Sequence, residues 1–200
     1  MYLKFGKRGL DLLGSSLGLI LCLPILVLIG IWIKTTGSGP VFFRQARLGR
    51  YGQNFTLLKF RTMNFDKEIE GKQFTPGDQS QVTRCGKILR KTKLDELPEL
   101  LNVLRGEMGL VGPRPEVPRY ERFFGGEFSQ VLGIRPGITD FASIQYRDEE
   151  EILSRSIDPE WTYVHEILPD KLRMNASYSK RVCLRVDLQI LCLTLRKLLC

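Results

Sequence analysis

Hydrophobic and polar positions divide the chain into one long apolar segment and a longer mixed region. Residues 12–33 contain no charged side chain. At about 1.5 Å per residue, a helix of this length would cross the hydrocarbon core of a bilayer. We therefore predict a membrane-associated helical domain at residues 1–38, followed by a globular domain at residues 39–200 that ends in an amphipathic helix.

Three arrangements of the apolar segment are open. A cleaved signal peptide is disfavoured because the apolar centre is too long and no A-x-A site follows it. A straight transmembrane helix and a re-entrant hairpin, which enters and leaves the membrane on the same side, both fit the length. The hairpin is favoured because Pro24 removes a helical hydrogen bond in mid-segment, and because basic residues flank both ends, which places both ends in the cytoplasm. The flanking residues are Lys4, Lys7, Arg8, Lys34, Arg44, Arg47 and Arg50.

Shorter patterns organise the remaining chain. Residues 41–47 and 55–61 are rich in β-forming residues on either side of a glycine-containing turn, and they predict a β-hairpin. Residues 62–81 are polar and contain glycine and proline, which predicts a loop. Residues 83–93 predict a strongly basic helix. Its charged side is either an ordinary solvated face or a surface for phosphate or membrane.

The best-defined helix is predicted at residues 95–105. Asp95 can cap it, Pro98 is tolerated near its start and Gly106 ends it. Asp95 and Glu96 would then lie beside free backbone N–H groups at the positive end of the helix dipole, which is an anion site. The alternative is structural, with Asp95 as the cap and Glu96 as a partner of the dipole. A leucine stripe would face the core, formed by Leu97, Leu100, Leu101 and Leu104.

Two further segments have more than one interpretation. Arg114 lies between Pro113 and Pro115, and a rigidly held guanidinium suits bidentate phosphate recognition. An ordinary loop is the alternative. Residues 180–200 predict an amphipathic helix that packs either in the core or in the membrane interface, with equal weight. Its leucine stripe comprises Leu184, Leu188, Leu191, Leu195 and Leu198.

Composition and charge narrow the chemistry. The chain has 30 Lys and Arg against 22 Asp and Glu, a net charge of +8 that favours an anionic partner. One histidine and five cysteines without C-x-x-C spacing exclude His-rich metal sites, zinc frameworks and disulfide scaffolds, so we expect a reducing compartment. The sequence has neither a P-loop nor a G-x-G-x-x-G motif. The basic residues are not interleaved with aromatic ones as in a nucleic-acid groove, so we expect no nucleic-acid partner.

Eight motifs follow one another along nearly the whole chain. They are Lys7-Arg8 with Asp11, the apolar stretch with Pro24, 39–45 (GPVFFRQ), 59–63 (KFRTM), 94–98 (LDELP), 102–108 (NVLRGEM), 112–115 (GPRP) and 136–139 (PGIT). In this order they resemble the monotopic phosphoglycosyl transferases of the bacterial sugar transferase family, in the minimal form that contains little more than the catalytic core. We accordingly expect an α+β, mostly helical fold. Its parts would be an N-terminal re-entrant membrane helix hairpin, a small β-hairpin and amphipathic interfacial helices around a compact catalytic core.

The resemblance implies an enzyme that starts bacterial glycoconjugate assembly at the cytoplasmic face of the inner membrane. Such enzymes move a phospho-sugar from a UDP-sugar to polyprenyl phosphate, usually undecaprenyl phosphate. The products are a polyprenyl-diphosphate-sugar and UMP. The resemblance also implies Mg²⁺, a covalent aspartyl phospho-sugar intermediate and contact with membrane lipids. A homo-oligomer is compatible with the sequence, which identifies neither the donor sugar nor the glycan pathway.

Individual residues take their expected roles from the matching motifs. Asp95 matches the nucleophile, and Glu96 matches its partner in holding Mg²⁺, so that both are candidate metal ligands. The basic residues that match substrate-binding positions are Lys59, Arg61, Arg90, Arg114 and Arg147.

Some positions depart from the family pattern. Leu23 replaces the serine that often precedes the proline, while Lys93 and Glu99 replace the commoner Ser or Thr and Gln beside the two acidic residues. Residues 140–143 (DFAS) replace G-L-A-Q and resemble the subgroup that acts on acetamido or diacetamido sugars. Two alternatives to the enzyme are a catalytically inactive membrane anchor that recruits glycan-assembly partners and a membrane-tethered nucleic-acid binder.

Overall fold

The N-terminal part of the protein is one long apolar helix. The structure, a computed structural model, describes residues 2–64 and 81–199. A π-helical turn (Tyr2–Gly6) leads into α1 (Lys7–Thr35), which continues through Pro24. By length and composition α1 could cross a membrane, and most of its apolar side chains are exposed. The described helix is continuous, and the re-entrant hairpin stays a prediction.

Both ends of α1 are attached to the globular region. Near its start, the Asp11 carboxylate accepts a hydrogen bond of 2.8 Å from the backbone N–H of Leu110. Near its end, Ile29 and Ile33 are buried in a cluster that includes Leu89. The two ends of the apolar helix are therefore held by the same body of protein.

The predicted β-hairpin is confirmed. Strand β1 (Phe42–Leu48) pairs antiparallel with β2 (Asn54–Phe60), in a register that runs from Phe42 opposite Phe60 to Leu48 opposite Asn54. A 3₁₀ turn (Arg50–Gly52) connects them, with Tyr51 in the left-handed region at φ 60°. The ends of the adjoining loop are bridged at Met63 and Val82. Residues 65–80 of the loop predicted at 62–81 lie outside the described residues.

A second, parallel pair of strands was not predicted. Strand β3 (Gly109–Val111) pairs with β4 (Gly137–Thr139). The two backbones approach so closely that a Cβ on Gly137 would lie 2.1 Å from the backbone nitrogen of Gly112. Each strand has only three residues, too few to show a two-residue alternation, and the glycines that permit the approach look like turn signals in the sequence.

Helices form most of the remaining described structure. They are α2 (Arg84–Thr92), α3 (Glu99–Arg105), α4 (Phe141–Gln145), α5 (Glu149–Ser154), α6 (Pro159–Thr162), α7 (Leu168–Ser179) and α8 (Leu184–Leu199). The largest buried cluster comprises Leu48, Tyr120, Phe124, Val131, Leu153, Tyr163, Ile167, Leu168, Leu172 and Ala176. The structure therefore confirms a mostly helical protein with a small two-stranded antiparallel sheet.

The leucine stripe of α3 differs from its prediction, and the leucine stripe of α8 is mostly exposed. On α3 the buried face is formed by Glu99, Asn102 and Val103, whereas its leucines are half-buried. One reason is that α3 packs against α1, where Leu100 lies beside Gly18. On α8 the core contact is made mainly by residues outside the predicted stripe. The exposed members of that stripe are Leu184, Leu188, Leu195 and Leu198, while Val186, Ile190 and Leu191 pack inward.

Candidate active site

A cavity of about 310 Å³, lined by apolar and charged side chains, contains most of the predicted site residues. It is bounded by β2, the 3₁₀ turn Leu94–Glu96, α4, α5 and the end of α8. The predicted residues that line it are Lys59, Arg90, Asp95, Glu96, Arg114 and Arg147. Arg61 does not line the cavity.

Asp95 lines the cavity, and one oxygen of its carboxylate is buried and unpaired. It lies in the 3₁₀ turn Leu94–Glu96, and its carboxylate caps neither this turn nor α3, so the structural interpretation of Asp95 as a helix cap is wrong. The residue is buried, and its Oδ1 has no hydrogen-bond partner. Burial raises the pKa of Asp95, while the positive charge of Lys59 opposes this rise. A buried polar atom without a partner is uncommon, and a nucleophilic or metal-binding role of the carboxylate would explain it.

Glu96 is tied to two cations. Its carboxylate accepts a hydrogen bond of 2.7 Å from Lys59 Nζ, and Arg114 donates to both of its oxygens, from Nη1 at 3.2 Å and from Nη2. Burial raises the pKa of Glu96, but the charges of Arg114 and Lys59 outweigh burial and hold it well below its ordinary value. Glu96 is therefore a fixed negative charge that positions two cations beside Asp95.

The loop that carries Arg114 is held by buried polar contacts. The Asp140 carboxylate, which is fully buried, accepts a 2.9 Å hydrogen bond from the Arg114 backbone N–H and one of 2.5 Å from Ser143 N at the start of α4. Arg47 donates to the carbonyl of Pro115 at 2.9 Å. These contacts hold the backbone at Arg114 and Pro115, and Asp140 couples this loop to the α4 wall of the cavity.

Behind the cavity, two buried polar residues of α3 support Lys59. Glu99 Oε1 lies 3.4 Å from Lys59 Nζ. Asn102 accepts a 3.0 Å hydrogen bond from the backbone N–H of Leu58 and donates one of 2.8 Å to the carbonyl of Thr56, so it fixes α3 to β2. Neither role was predicted from the sequence, although two polar residues three positions apart in a leucine-rich helix indicate a shared polar face.

We expect the Glu99 carboxyl to make the free energy of unfolding fall as the pH rises between about 4.5 and 7. The variant Glu99→Gln should remove this contribution to the pH dependence. Burial raises the pKa of Glu99 from 4.5 to about 7. In this window the folded protein keeps a proton that the unfolded chain has released, so the free energy of unfolding decreases with pH. Glutamine does not titrate. Denaturant unfolding across the window measures the slope for each variant.

The matched control for this experiment is Glu107→Gln. Glu107 follows the end of α3, away from the residues that contact Lys59, and accepts a 2.6 Å hydrogen bond from Asn102. We expect this variant to retain the wild-type slope. An equal slope in wild type and Glu99→Gln would contradict the assignment of the titration to Glu99.

The other predicted basic residues have different environments. Arg61 is buried and donates to the carbonyls of Ile33 and Gly37, at 3.3 and 3.2 Å, so it closes the loop after α1. Arg90 donates to Thr62 and pairs with Glu150 at 3.2 Å. Arg147 lies in the cavity wall and donates to the carbonyl of Lys197 in α8. Of the predicted basic set, the structure thus separates Arg61 from the cavity.

Lysines missed by the sequence analysis also line the cavity. Lys171 is buried, and its Nζ lies 3.0 Å from Glu149 and 3.2 Å from Glu116. Lys93 precedes the 3₁₀ turn that carries Asp95 and has φ 57°. Neither lysine belonged to an expected motif, and only the tertiary fold brings Lys171 near Asp95.

The acidic residues fit a magnesium ion that is completed by substrate. Mg²⁺ is commonly held by one or two carboxylates together with substrate phosphates and water. Asp95 offers an unpaired oxygen, whereas the oxygens of Glu96 already contact cations. Within residues 2–64 and 81–199, no three His, Cys, Asp or Glu side chains are grouped to hold a metal by themselves. The donor set therefore suits an ion shared with phosphate oxygens rather than a cage made only of protein.

The fold joins one long apolar helix to a cavity lined by several basic residues, and comparison with known proteins identifies its family. The family model described as bacterial sugar transferase matches residues 2–200. The chain belongs to the bacterial sugar transferase family, which confirms the resemblance seen in the sequence.

Individual relatives are about one third identical to the chain over the aligned residues. The "Uncharacterized sugar transferase EpsL" of Bacillus subtilis is 35% identical over 194 residues, which cover 96% of this chain and 87% of the relative. A UDP-glucose:undecaprenyl-phosphate glucose-1-phosphate transferase of Klebsiella pneumoniae is 36% identical over 199 residues, or 96% of this chain and 39% of that protein. A UDP-N-acetylgalactosamine-undecaprenyl-phosphate N-acetylgalactosaminephosphotransferase of Aeromonas hydrophila is 38% identical over 147 residues, or 70% of this chain and 34% of that protein. The chain thus spans well under half of the length of the Klebsiella and Aeromonas relatives, whose names describe a reaction.

Proposed function

We propose that the protein transfers a sugar phosphate from a UDP-sugar to polyprenyl phosphate, with undecaprenyl phosphate as the acceptor, and releases UMP. The observation that carries this proposal is the convergence of Asp95, with its unpaired oxygen, and of Lys59 and Arg114 on one cavity. Both substrates are anionic, which suits a cation-lined cavity in a chain of net charge +8. The names of the Klebsiella and Aeromonas relatives describe reactions of this type.

The proposed reaction proceeds in two displacements. First, an Asp95 oxygen attacks the phosphorus that bears the sugar. A new O–P bond forms, the P–O bond to UMP breaks, and UMP leaves with the bonding electrons. In the second step, an oxygen of polyprenyl phosphate attacks the same phosphorus, and the Asp95 carboxylate leaves. A covalent intermediate replaces one difficult transfer between two anions with two easier steps.

Charge neutralisation is the main requirement of this mechanism. The Asp95 carboxylate is itself negatively charged, so like charge opposes its attack on a diphosphate. Lys59 and Arg114 are held beside it by Glu96 and can stabilise the charge that develops on phosphoryl oxygens. Asp95 and Glu96 would hold Mg²⁺, which when bound supplies further positive charge to those oxygens. Arg90 and Arg147, at the cavity wall, are proposed to contribute to substrate binding.

We further propose that residues 1–38 form a re-entrant membrane hairpin and that the catalytic domain, residues 39–200, lies on the cytoplasmic face of the inner membrane. The support is that both ends of α1 contact the same globular region, through Asp11 at one end and Ile33 at the other. A straight span would carry one end to the opposite face. Exposed apolar residues of α1 would face lipid between these attachments.

Two amphipathic helices are proposed to rest in the lipid interface. On α2, Ile88 is exposed beside the basic residues Arg84 and Lys87. On α8, Leu188 and Leu195 are exposed. Apolar side chains next to cations favour binding to anionic lipid surfaces. This arrangement would hold the cavity at headgroup depth, where a lipid phosphate meets a soluble nucleotide sugar.

The hairpin makes a prediction about topology. Reporters placed before α1 and after α8 should both be cytoplasmic, because the chain would enter and leave the membrane on one side. Accessibility to a membrane-impermeant reagent in intact and permeabilised cells measures this. Labelling of the N-terminal reporter from the periplasm would instead establish a straight span.

The test of the proposed activity is UMP release from purified protein with undecaprenyl phosphate, Mg²⁺ and a panel of UDP-sugars. We expect repeated turnover with at least one donor, together with a sugar-diphosphate lipid. The most active donor would also identify the sugar. Absence of UMP and of lipid product across the panel would contradict the enzyme and favour the inactive membrane anchor.

A further inference from the structure

Lys93 has an unusual backbone conformation beside the proposed nucleophile. It lies between α2 and the 3₁₀ turn Leu94–Glu96, with φ 57°, and its backbone N–H closes α2 by donating to the carbonyl of Arg90 at 3.2 Å. Among the described residues, only Tyr51 is another non-glycine residue with positive φ. Glycine and asparagine adopt this conformation more readily than lysine. A long cationic side chain at such a position invites a functional explanation.

The charged groups of most other cavity-lining cations are occupied by protein partners. Lys59 and Arg114 pair with Glu96, and Lys171 pairs with Glu149. In contrast, the Lys93 side chain has no hydrogen bond or ion pair within the described chain, although it lines the cavity two residues before Asp95. Its ammonium is therefore available to a ligand in the cavity.

The chemistry of this position favours a phosphate. An ammonium group is a compact point charge that binds phosphoryl oxygens well. Lys93 lines the same cavity as Asp95 and Glu96, so a phosphate that binds at Asp95 enters the space that Lys93 borders.

We infer that Lys93, which lines the cavity together with Asp95, is a substrate-binding residue whose ammonium contacts an anionic phosphoryl oxygen there. This inference rests on the proposed function and adds a further cation to Lys59 and Arg114. The oxygen can belong to the donor diphosphate or to the acceptor phosphate, because both must reach Asp95. Separate measurement of the two half-reactions distinguishes these sources.

The test compares Lys93→Asn with Lys93→Arg. Asparagine tolerates the left-handed backbone and removes the charge, whereas arginine retains it. The donor arm measures UMP release from UDP-sugar without acceptor. The acceptor arm measures transfer from the preformed phospho-sugar enzyme to undecaprenyl phosphate. We expect Lys93→Asn to raise the half-saturating concentration about tenfold in one arm, with a weaker dependence on salt, and Lys93→Arg to recover most of the loss.

Tyr51→Asn is the matched control. Like Lys93→Asn, it places asparagine at a position of positive φ. Tyr51 is exposed in the β1–β2 turn and does not line the cavity. We expect this variant to behave as wild type in both arms. If Lys93→Asn also leaves both arms and their salt dependence unchanged, the inference is wrong while UMP release still supports the proposed function.

A failure of the proposed function has a different signature. If wild type releases no UMP, that function is wrong, and titration calorimetry with UMP and with undecaprenyl phosphate still tests Lys93. Weaker binding of either phosphate compound by Lys93→Asn, but not by Tyr51→Asn, would support the phosphate contact. Equal binding by all three proteins would overturn it.

Discussion

Asp95→Asn should lower UMP release by roughly 10⁴-fold or more while the protein still folds. The amide cannot form the bond to phosphorus, although its size and shape are nearly those of the carboxylate. Because Asp95 Oδ1 makes no hydrogen bond, the substitution breaks no contact at that atom. Steady-state UMP release measures the loss, and circular dichroism with thermal unfolding checks the fold.

The covalent intermediate gives this prediction a second readout. After incubation with donor alone, intact wild-type protein should gain the mass of one phospho-sugar, and Asp95→Asn should not. Asp148→Asn is a suitable control because Asp148 is exposed and does not line the cavity. It should retain both the adduct and turnover. Full activity of Asp95→Asn would exclude the covalent mechanism through this residue.

The sequence predicted the local parts of the site because they are written in short motifs. Asp95 and Glu96 are adjacent, and the two prolines around Arg114 restrict its backbone directly. The motifs do not show which distant residues contact one another in the folded protein. The contact of Glu96 with Lys59 joins residues 37 positions apart, and that of Asp140 with the Arg114 backbone joins residues 26 positions apart. Such contacts depend on how β2, the 3₁₀ turn and β4 pack together.

The prediction for the buried face of α3 failed because polar residues can be buried when they find partners. Leucine spacing suggested that the leucines of α3 face the core, yet the fully buried positions are Glu99, Asn102 and Val103, and two of these are polar. Asn102 is satisfied by the backbone of β2, and Glu99 lies near Lys59. Likewise Arg61, in a motif that suggested substrate binding, is buried against the carbonyls after α1. Hydrophobic periodicity carries no information about such partners.

Asp187→Ala should lower the free energy of unfolding by about 3–5 kcal/mol. Asp187 lies on α8, is fully buried and accepts hydrogen bonds from Lys7 Nζ at 2.6 Å, Tyr178 OH at 2.6 Å and Tyr2 OH at 2.5 Å. Removing the carboxylate leaves the buried Lys7 ammonium without its counter-charge, which costs more than the loss of the contact itself. Thermal and denaturant unfolding in detergent measure the change.

A double variant separates the unpaired charge from the packing. Lys7→Met with Asp187→Leu removes both charges and fills similar volumes, so it should recover much of the stability that Asp187→Ala loses. Wild-type stability of Asp187→Ala would contradict a buried, energetically important pair.

Because Lys7 begins α1 and Asp187 belongs to α8, the pair also ties the start of the membrane helix to the catalytic domain. If that tie keeps the N-terminus on the cytoplasmic side, Asp187→Ala should expose a reporter before α1 to periplasmic reagent in part of the population, and the double variant should not.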